Sequence, residues 1–150
     1  MLFVCLGNIC RSPLAEGVFR DLATQRGIQG QLDIDSAGTG AWHVGNPPDP
    51  RSIEIAQEHG IDLTDQQARR ISVSDFSRFD LILAMDHDNL RHLSSLKPLD
   101  SRATLSLFLD QAGLGPIDVP DPYYGGADGF QRVYGMIEEA GTRILDQLFP

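Results

Sequence analysis

Leu2-Phe3-Val4-Cys5-Leu6-Gly7-Asn8-Ile9-Cys10-Arg11-Ser12-Pro13 changes backbone state twice in twelve residues. Leu2-Phe3-Val4 reads as a short apolar strand. Gly7 and Asn8 interrupt it, Gly7 because it reaches backbone conformations closed to other residues and Asn8 because it tolerates a left-handed one. Ser12-Pro13 predicts a helix start, an N-cap followed by a first-turn proline. Strand, loop and helix in that order open an α/β unit. In such a sheet the ligand site lies at the carboxyl ends of the strands, where Cys5 falls.

Outward from this unit the pattern repeats. Leu14, Val18 and Leu22, with Ala15, Phe19 and Ala23, keep helical spacing until Gly27. Leu32-Asp33-Ile34-Asp35 alternates like a strand, and residues 36–50 read as loop. Asp49-Pro50 repeats the cap-then-proline signal for a helix through Ile53 and Ala56 to Gly60. Asp80 to Met85 is the best central strand, with Asp86 capping a helix through Ser95. Ala103–Leu109 fits strand or helix equally, and residues 113–129 are a second Gly/Pro/Asp loop. Asp128-Gly-Phe-Gln131 resembles a capping box for a long amphipathic helix bearing Phe130, Val133, Tyr134, Ile137, Ile144, Leu145 and Leu148. The expectation is one domain over residues 1–150. It is an α/β, three-layer αβα fold with a central parallel sheet of about four strands, joined by right-handed crossovers. The 5–12 loop connects strand 1 to helix 1.

Twelve basic residues against 21 acidic ones give a net charge of −9, which repels nucleic acid phosphates. No apolar stretch is long enough for a membrane helix. Met1 leads straight into the first strand without a basic leader, so the expected location is the cytoplasm. Cys5 and Cys10 are the only cysteines, and the four histidines are not grouped with them; no disulfide scaffold, metal or cofactor is expected. A monomer or weak dimer is the expected assembly.

The chemistry lies in the loop. Five residues separate Cys5 from Arg11. A loop of that length can curl so that the backbone N–H groups of Leu6, Gly7, Asn8, Ile9, Cys10 and Arg11 face one centre, an anion nest at a helix N-terminus. The Arg11 guanidinium grips two phosphate oxygens at once, which lysine does less well. The same positive field favours a nucleophilic thiolate at Cys5. Taken singly, Cys5 could be a small buried hydrophobe, Arg11 a surface ion-pair partner, and Gly7-Asn8 an ordinary turn. Their joint placement between a first strand and a Ser-Pro helix start points to phosphate chemistry.

Val4-Cys5-Leu6-Gly7-Asn8-Ile9-Cys10-Arg11-Ser12-Pro13 resembles the signature of the low-molecular-weight protein tyrosine phosphatases. The resemblance continues in Asp35-Ser36-Ala37-Gly38-Thr39, Gly45-Asn46-Pro47-Pro48-Asp49, Ala68-Arg69-Arg70 and Asp121-Pro122-Tyr123-Tyr124. It implies Cys5 as the nucleophile of a phosphocysteine intermediate, Arg11 as the phosphate clamp and Asp121 as general acid and base. On the residues alone, Asp118 and Asp121 are not separable; the resemblance selects Asp121. It further implies that Asn8, Ser12 and Ser36 support the loop, and that Cys10 can close a reversible disulfide protecting Cys5 from over-oxidation; on the residues alone Cys10 reads equally as a small buried residue. The substrate cleft is expected from Ile9, Trp42, Tyr123 and Tyr124, since adjacent tyrosines in a Gly/Pro loop have no obvious core role.

The implied partners are a phosphotyrosine protein or peptide and a cognate tyrosine kinase. A related branch acting on phosphoarginine carries threonine where this chain has Ile9, which favours phosphotyrosine. Two departures stand out: the opening strand is short for the family, and Asp65-Gln66-Gln67 lacks a histidine that some relatives carry. The rival readings are a phosphoarginine phosphatase, an arsenate reductase and a thiol redox sensor of the same fold. Arsenate reduction needs further cysteines to relay a disulfide, and none follows Cys10.

Overall fold

The computed structural model describes residues 1–150, apart from the side chain of residue 127. Its sheet is built from β1 (Leu2–Cys5), β2 (Asp35–Gly38), β3 (Leu81–Ala84) and β4 (Thr104–Leu107), all parallel, in the order β2-β1-β3-β4. Helices α1 (Arg11–Gln25), α2 (Pro50–Glu58), α3 (Asp75–Arg78), α4 (His87–Leu96), α5 (Phe108–Gln111) and α6 (Ala127–Leu148) surround it. Strand side chains alternate between two cores. Phe3, Cys5, Leu83 and Met85 join the core with α1, α2, α5 and α6, while Leu2, Val4, Ile82 and Ala84 join Phe76, Phe79 and Leu93 on the other face. Burial on both faces explains why β1 is apolar throughout. Phe3 anchors the larger core, its ring 5.5 Å from Phe19 and 5.3 Å from Phe108.

Chain order reverses at β1: one connection runs out to β2 and the next crosses to β3 on the other side. The crevice at the carboxyl ends of these central strands is the expected ligand position. Cys5 ends β1, and Met85-Asp86 follows β3.

Several local expectations are corrected. The second strand is Asp35–Gly38, not Leu32–Asp35: Asp35 to Gly38 pair with Leu2 to Cys5, within a stretch that reads as loop because its composition is small and polar. Helix α1 begins at Arg11 with Cys10 as N-cap and no side-chain cap bond, so Ser12 is not the cap. Helix α6 begins after Gly126 without a side-chain cap, and Asp128 sits in its first turn instead of forming a capping box. Ala103–Leu109 is both elements in succession, since β4 runs directly into α5. Asp49 and Asp86 do cap α2 and α4, Asp86 in a capping box with Asn89.

Candidate active site

The loop after β1 is shaped from outside. Thr39 N–H donates to the Cys5 carbonyl at 2.9 Å, Gly40 N–H to Leu6 at 2.9 Å and Asp49 N–H to Ile9 at 2.7 Å. The Ser52 hydroxyl donates to the Cys10 carbonyl at 3.2 Å. In a trans peptide the next residue's N–H points opposite to the carbonyl. Turning these four carbonyls outward therefore turns the N–H groups of Leu6, Gly7, Cys10 and Arg11 toward the centre. Asn8 N–H is itself 3.3 Å from Cys5 Sγ.

Asn8 adopts φ 55°, the left-handed conformation expected of it. Gly7 does not have positive φ, so that expectation is corrected. Its reason is space: a Cβ there would lie 3.0 Å from His43 Cδ2.

Behind the loop runs a directed chain of hydrogen bonds. Arg69 N–H donates to Asn8 Oδ1 at 2.9 Å, which turns Nδ2 toward Ser12 Oγ at 2.8 Å and Ser36 Oγ at 3.0 Å. Ser36 donates to the buried carboxylate of Glu16 at 2.7 Å. With Asn8 donating to it, the Ser12 hydroxyl has its one hydrogen for Cys5 Sγ, 3.0 Å away, or for the Ala37 carbonyl, 3.4 Å away. Burial raises the Glu16 carboxyl above its usual range, partly offset by Ser36 and Arg20.

Arg11 is only 2% exposed. Its Nη1 donates to Asp86 Oδ2 at 2.6 Å and to the Val119 carbonyl at 3.0 Å, while Nη2 lies 3.6 Å from Asp121 Oδ2. One edge of the guanidinium is thus anchored and the other faces the cleft. Burial opposes its charge, but Cys5, Asp86 and Asp121 outweigh that and hold it more firmly protonated than usual. Cys10 is buried and unpaired; burial first, then Asp49 and Cys5, push its thiol up to about 12.

A cleft of about 330 Å³ opens above the loop, lined by Cys5, Leu6, Gly7, Ile9, Cys10, Arg11, Trp42, His43, Asp121, Tyr123 and Tyr124. Asn8, Ser12 and Ser36 lie behind it. Tyr124 is 90% and Trp42 72% exposed, so neither is a core residue. The tyrosine rings meet edge-on at 4.9 Å. Geometry also separates the two aspartates: Asp118 accepts from His87, whose Nδ1 is 2.5 Å away, whereas Asp121 faces Arg11 across the cleft.

Sequence reasoning passed over His43, Glu16 and the second role of Asp86, and it named Arg69 within the Ala68-Arg69-Arg70 block without a role. A carboxylate directly after the central strand was a usable signal for Asp86; the others depend on contacts between distant segments.

A family model described as low molecular weight phosphotyrosine protein phosphatase matches residues 1–149. A Schizosaccharomyces pombe protein of the same description is 54% identical over 150 residues, covering 99% of this chain and 96% of the relative. A crystal structure of a protein tyrosine phosphatase from Entamoeba histolytica, with Hepes in its active site, superposes with a TM-score of 0.91 at 38% identity, covering 98% of this chain and 94% of that one. A structure described as a Drosophila arginine phosphatase superposes at 0.89 with 34% identity, covering 99% and 97%. With the fold, the loop and the family model agreeing over nearly every residue, the chain belongs to the low molecular weight phosphotyrosine protein phosphatase family.

Proposed function

We propose that this enzyme hydrolyses phosphotyrosine in proteins or peptides through a phosphocysteine intermediate. The observation that carries the reading is one cleft holding Cys5, Arg11 and Asp121 at its base and side, with Trp42, Tyr123 and Tyr124 as aromatic walls. A phosphate seated over Cys5 meets inward N–H groups and the free edge of Arg11, which stabilise the equatorial oxygens as charge shifts. Cys5 Sγ attacks phosphorus; the S–P bond forms, the P–O bond to the phenol breaks, and Asp121 gives the leaving oxygen its proton. Asp121 then takes a proton from water as that water attacks phosphorus. The S–P bond breaks, phosphate leaves and the thiolate returns. Acid–base assistance of this kind contributes about 10² to 10⁴ in rate.

Cys10 fits a protective role. Peroxide oxidation of Cys5 gives a sulfenic acid, which condenses with the Cys10 thiol to a disulfide with loss of water. The enzyme would work in the cytoplasm, as a monomer or weak dimer, opposite the tyrosine kinase that writes its substrates.

The arginine phosphatase among the structural relatives supports a second substrate reading. Ile9 and the paired tyrosines favour the phenyl ring. The test compares kcat/KM on phosphotyrosine, phosphoserine and phosphoarginine peptides, with Cys5→Ser as control. Phosphotyrosine should dominate, and Cys5→Ser should bind phosphate without turnover. A preference for phosphoarginine, or turnover by Cys5→Ser, would overturn the proposal.

A further inference from the structure

We propose that Arg51 is a positioning residue for Asp121, a brace that fixes the height of the proton donor above the phosphate loop. This inference rests on the reading of Asp121 as general acid.

The brace starts on the floor of the cleft. Asp49 is tied to the phosphate loop by its N–H, 2.7 Å from the Ile9 carbonyl, and caps α2 by accepting from Arg51 N–H at 2.8 Å. The Arg51 guanidinium then forks onto the same carboxylate, Nε to Oδ1 and Nη2 to Oδ2, both at 3.0 Å. Its remaining arm, Nη1, donates to the Tyr123 carbonyl at 3.1 Å. Tyr123 N–H in turn donates to Asp121 Oδ1 at 3.0 Å. The path Ile9–Asp49–Arg51–Tyr123–Asp121 therefore links the loop that would hold phosphate to the carboxylate that would protonate the leaving group.

Two further contacts fix the guanidinium in place. Its Cζ lies 5.4 Å from the Tyr123 ring centre and 4.7 Å from that of Phe130, within cation–π range of both. On the other side of Asp121, Val119 is held by the sheet: its N–H donates to the Met85 carbonyl at 2.8 Å and its carbonyl accepts from Arg11. Residues 119–123 are thus pinned at both ends with Asp121 between. Removing Arg51 frees the Tyr123 carbonyl, so the turn that carries Asp121 keeps its own Tyr123 N–H bond and the 3.6 Å approach to Arg11 but loses its tie to the loop below. Only arginine has the planar fork to hold a carboxylate with two arms and a carbonyl with a third.

A proton donor matters most for a poor leaving group, so the effect must depend on the ester. The experiment measures kcat/KM for aryl phosphates from 2,4-dinitrophenyl to phenyl phosphate, in the parent, Arg51→Met, Arg51→Lys and Asp121→Asn. Inhibition by inorganic phosphate and thermal unfolding are recorded alongside. Arg51→Met should lose about tenfold or more on phenyl phosphate and less than about twofold on the dinitrophenyl ester, with phosphate inhibition unchanged. Arg51→Lys should recover part of the phenyl phosphate rate. A loss of equal size on every ester, or none, would overturn the brace. If Asp121→Asn is as insensitive to the leaving group as the parent, the acid role of Asp121 fails, and the brace with it. A steep Asp121→Asn series beside a flat Arg51→Met series removes the brace alone.

Discussion

Replacing Gly38 by alanine tests whether the end of β2 shapes the phosphate loop. Gly38 pairs with Cys5 and is fixed on its far side, donating to the Arg69 carbonyl and accepting from Ile71 N–H, both at 2.8 Å. An alanine Cβ would stand 2.9 Å from Leu6 O and 3.2 Å from both N and Cβ of Asn8. The first of these is a distance that real Cβ atoms essentially never show, and two of the three atoms are backbone that no rotamer change can remove. The strand cannot retreat, so the loop must shift by a few tenths of an ångström. Gly38 lacks positive φ, so the effect is steric and not conformational.

Overpacking of this kind costs about 1–3 kcal/mol. For a chain of this length that lowers Tm by about 2 to 12 °C. The shift also re-aims the N–H groups of Gly7 and Asn8, whose peptides carry the atoms the new Cβ meets; since a 1 Å misplacement can cost about a hundredfold, kcat/KM should fall about tenfold. The assay pairs thermal unfolding with turnover of p-nitrophenyl phosphate and its inhibition by phosphate. Gly30→Ala is the control, because a Cβ there meets nothing within 4 Å. Gly38→Ala with the Tm and phosphate inhibition of Gly30→Ala would refute the idea that this contact sets the loop.

Glu16→Gln keeps an acceptor for Ser36 while removing a buried charge. Because burial raises the folded Glu16 carboxyl above its unfolded value, the folded state binds the extra proton, and stability falls as pH rises from the unfolded value of 4.5 through the raised one. Urea unfolding should find Glu16→Gln more stable than the parent at pH 7, the gap closing on acidification; a gap that widens there contradicts the sign. Gly40→Ala puts a Cβ 1.9 Å from Trp42 Cζ3, where the indole now lies across the glycine. Emission from the sole tryptophan should change and KM for aryl phosphates rise, with little loss of stability, because a side chain can swing aside where Leu6 O cannot.

What the sequence made legible is what neighbours in the chain decide. Phe3 and Val4, the left-handed Asn8, the caps at Asp49 and Asp86, and the spacing from Cys5 to Arg11 are all local, and each stands as read apart from detail at the edges. Ser12 shows where local reasoning fails. A serine before proline reads as an N-cap, yet its hydroxyl turns back to Cys5 Sγ because Asn8, four residues earlier, donates to it. Strand β2 was misplaced because Leu32 to Asp35 alternates more clearly, while Asp35 to Gly38 is held by the small side chains that let Gly38 approach the loop. Glu16, and the part Arg69 plays through its backbone, are not legible for a plainer reason: a buried carboxylate and a backbone N–H carry no sequence pattern, only a partner 20 and 61 residues away.

The two kinds of information meet in the loop's electrostatics. An anion nest requires amide groups aimed inward, and a peptide aims its N–H inward only if something holds its carbonyl outward. Here the holders are Thr39 and Gly40 after β2, and Asp49 and Ser52 at the start of α2. None of them need touch a substrate. The residues that would face a phosphate are therefore contiguous and easy to read, whereas the residues that give them their direction arrive from two other segments, brought there by pairing of β2 with β1 and packing of α2 on α1. Loop and scaffold divide the work between them: residues 5–12 supply the donors, and the fold supplies their orientation.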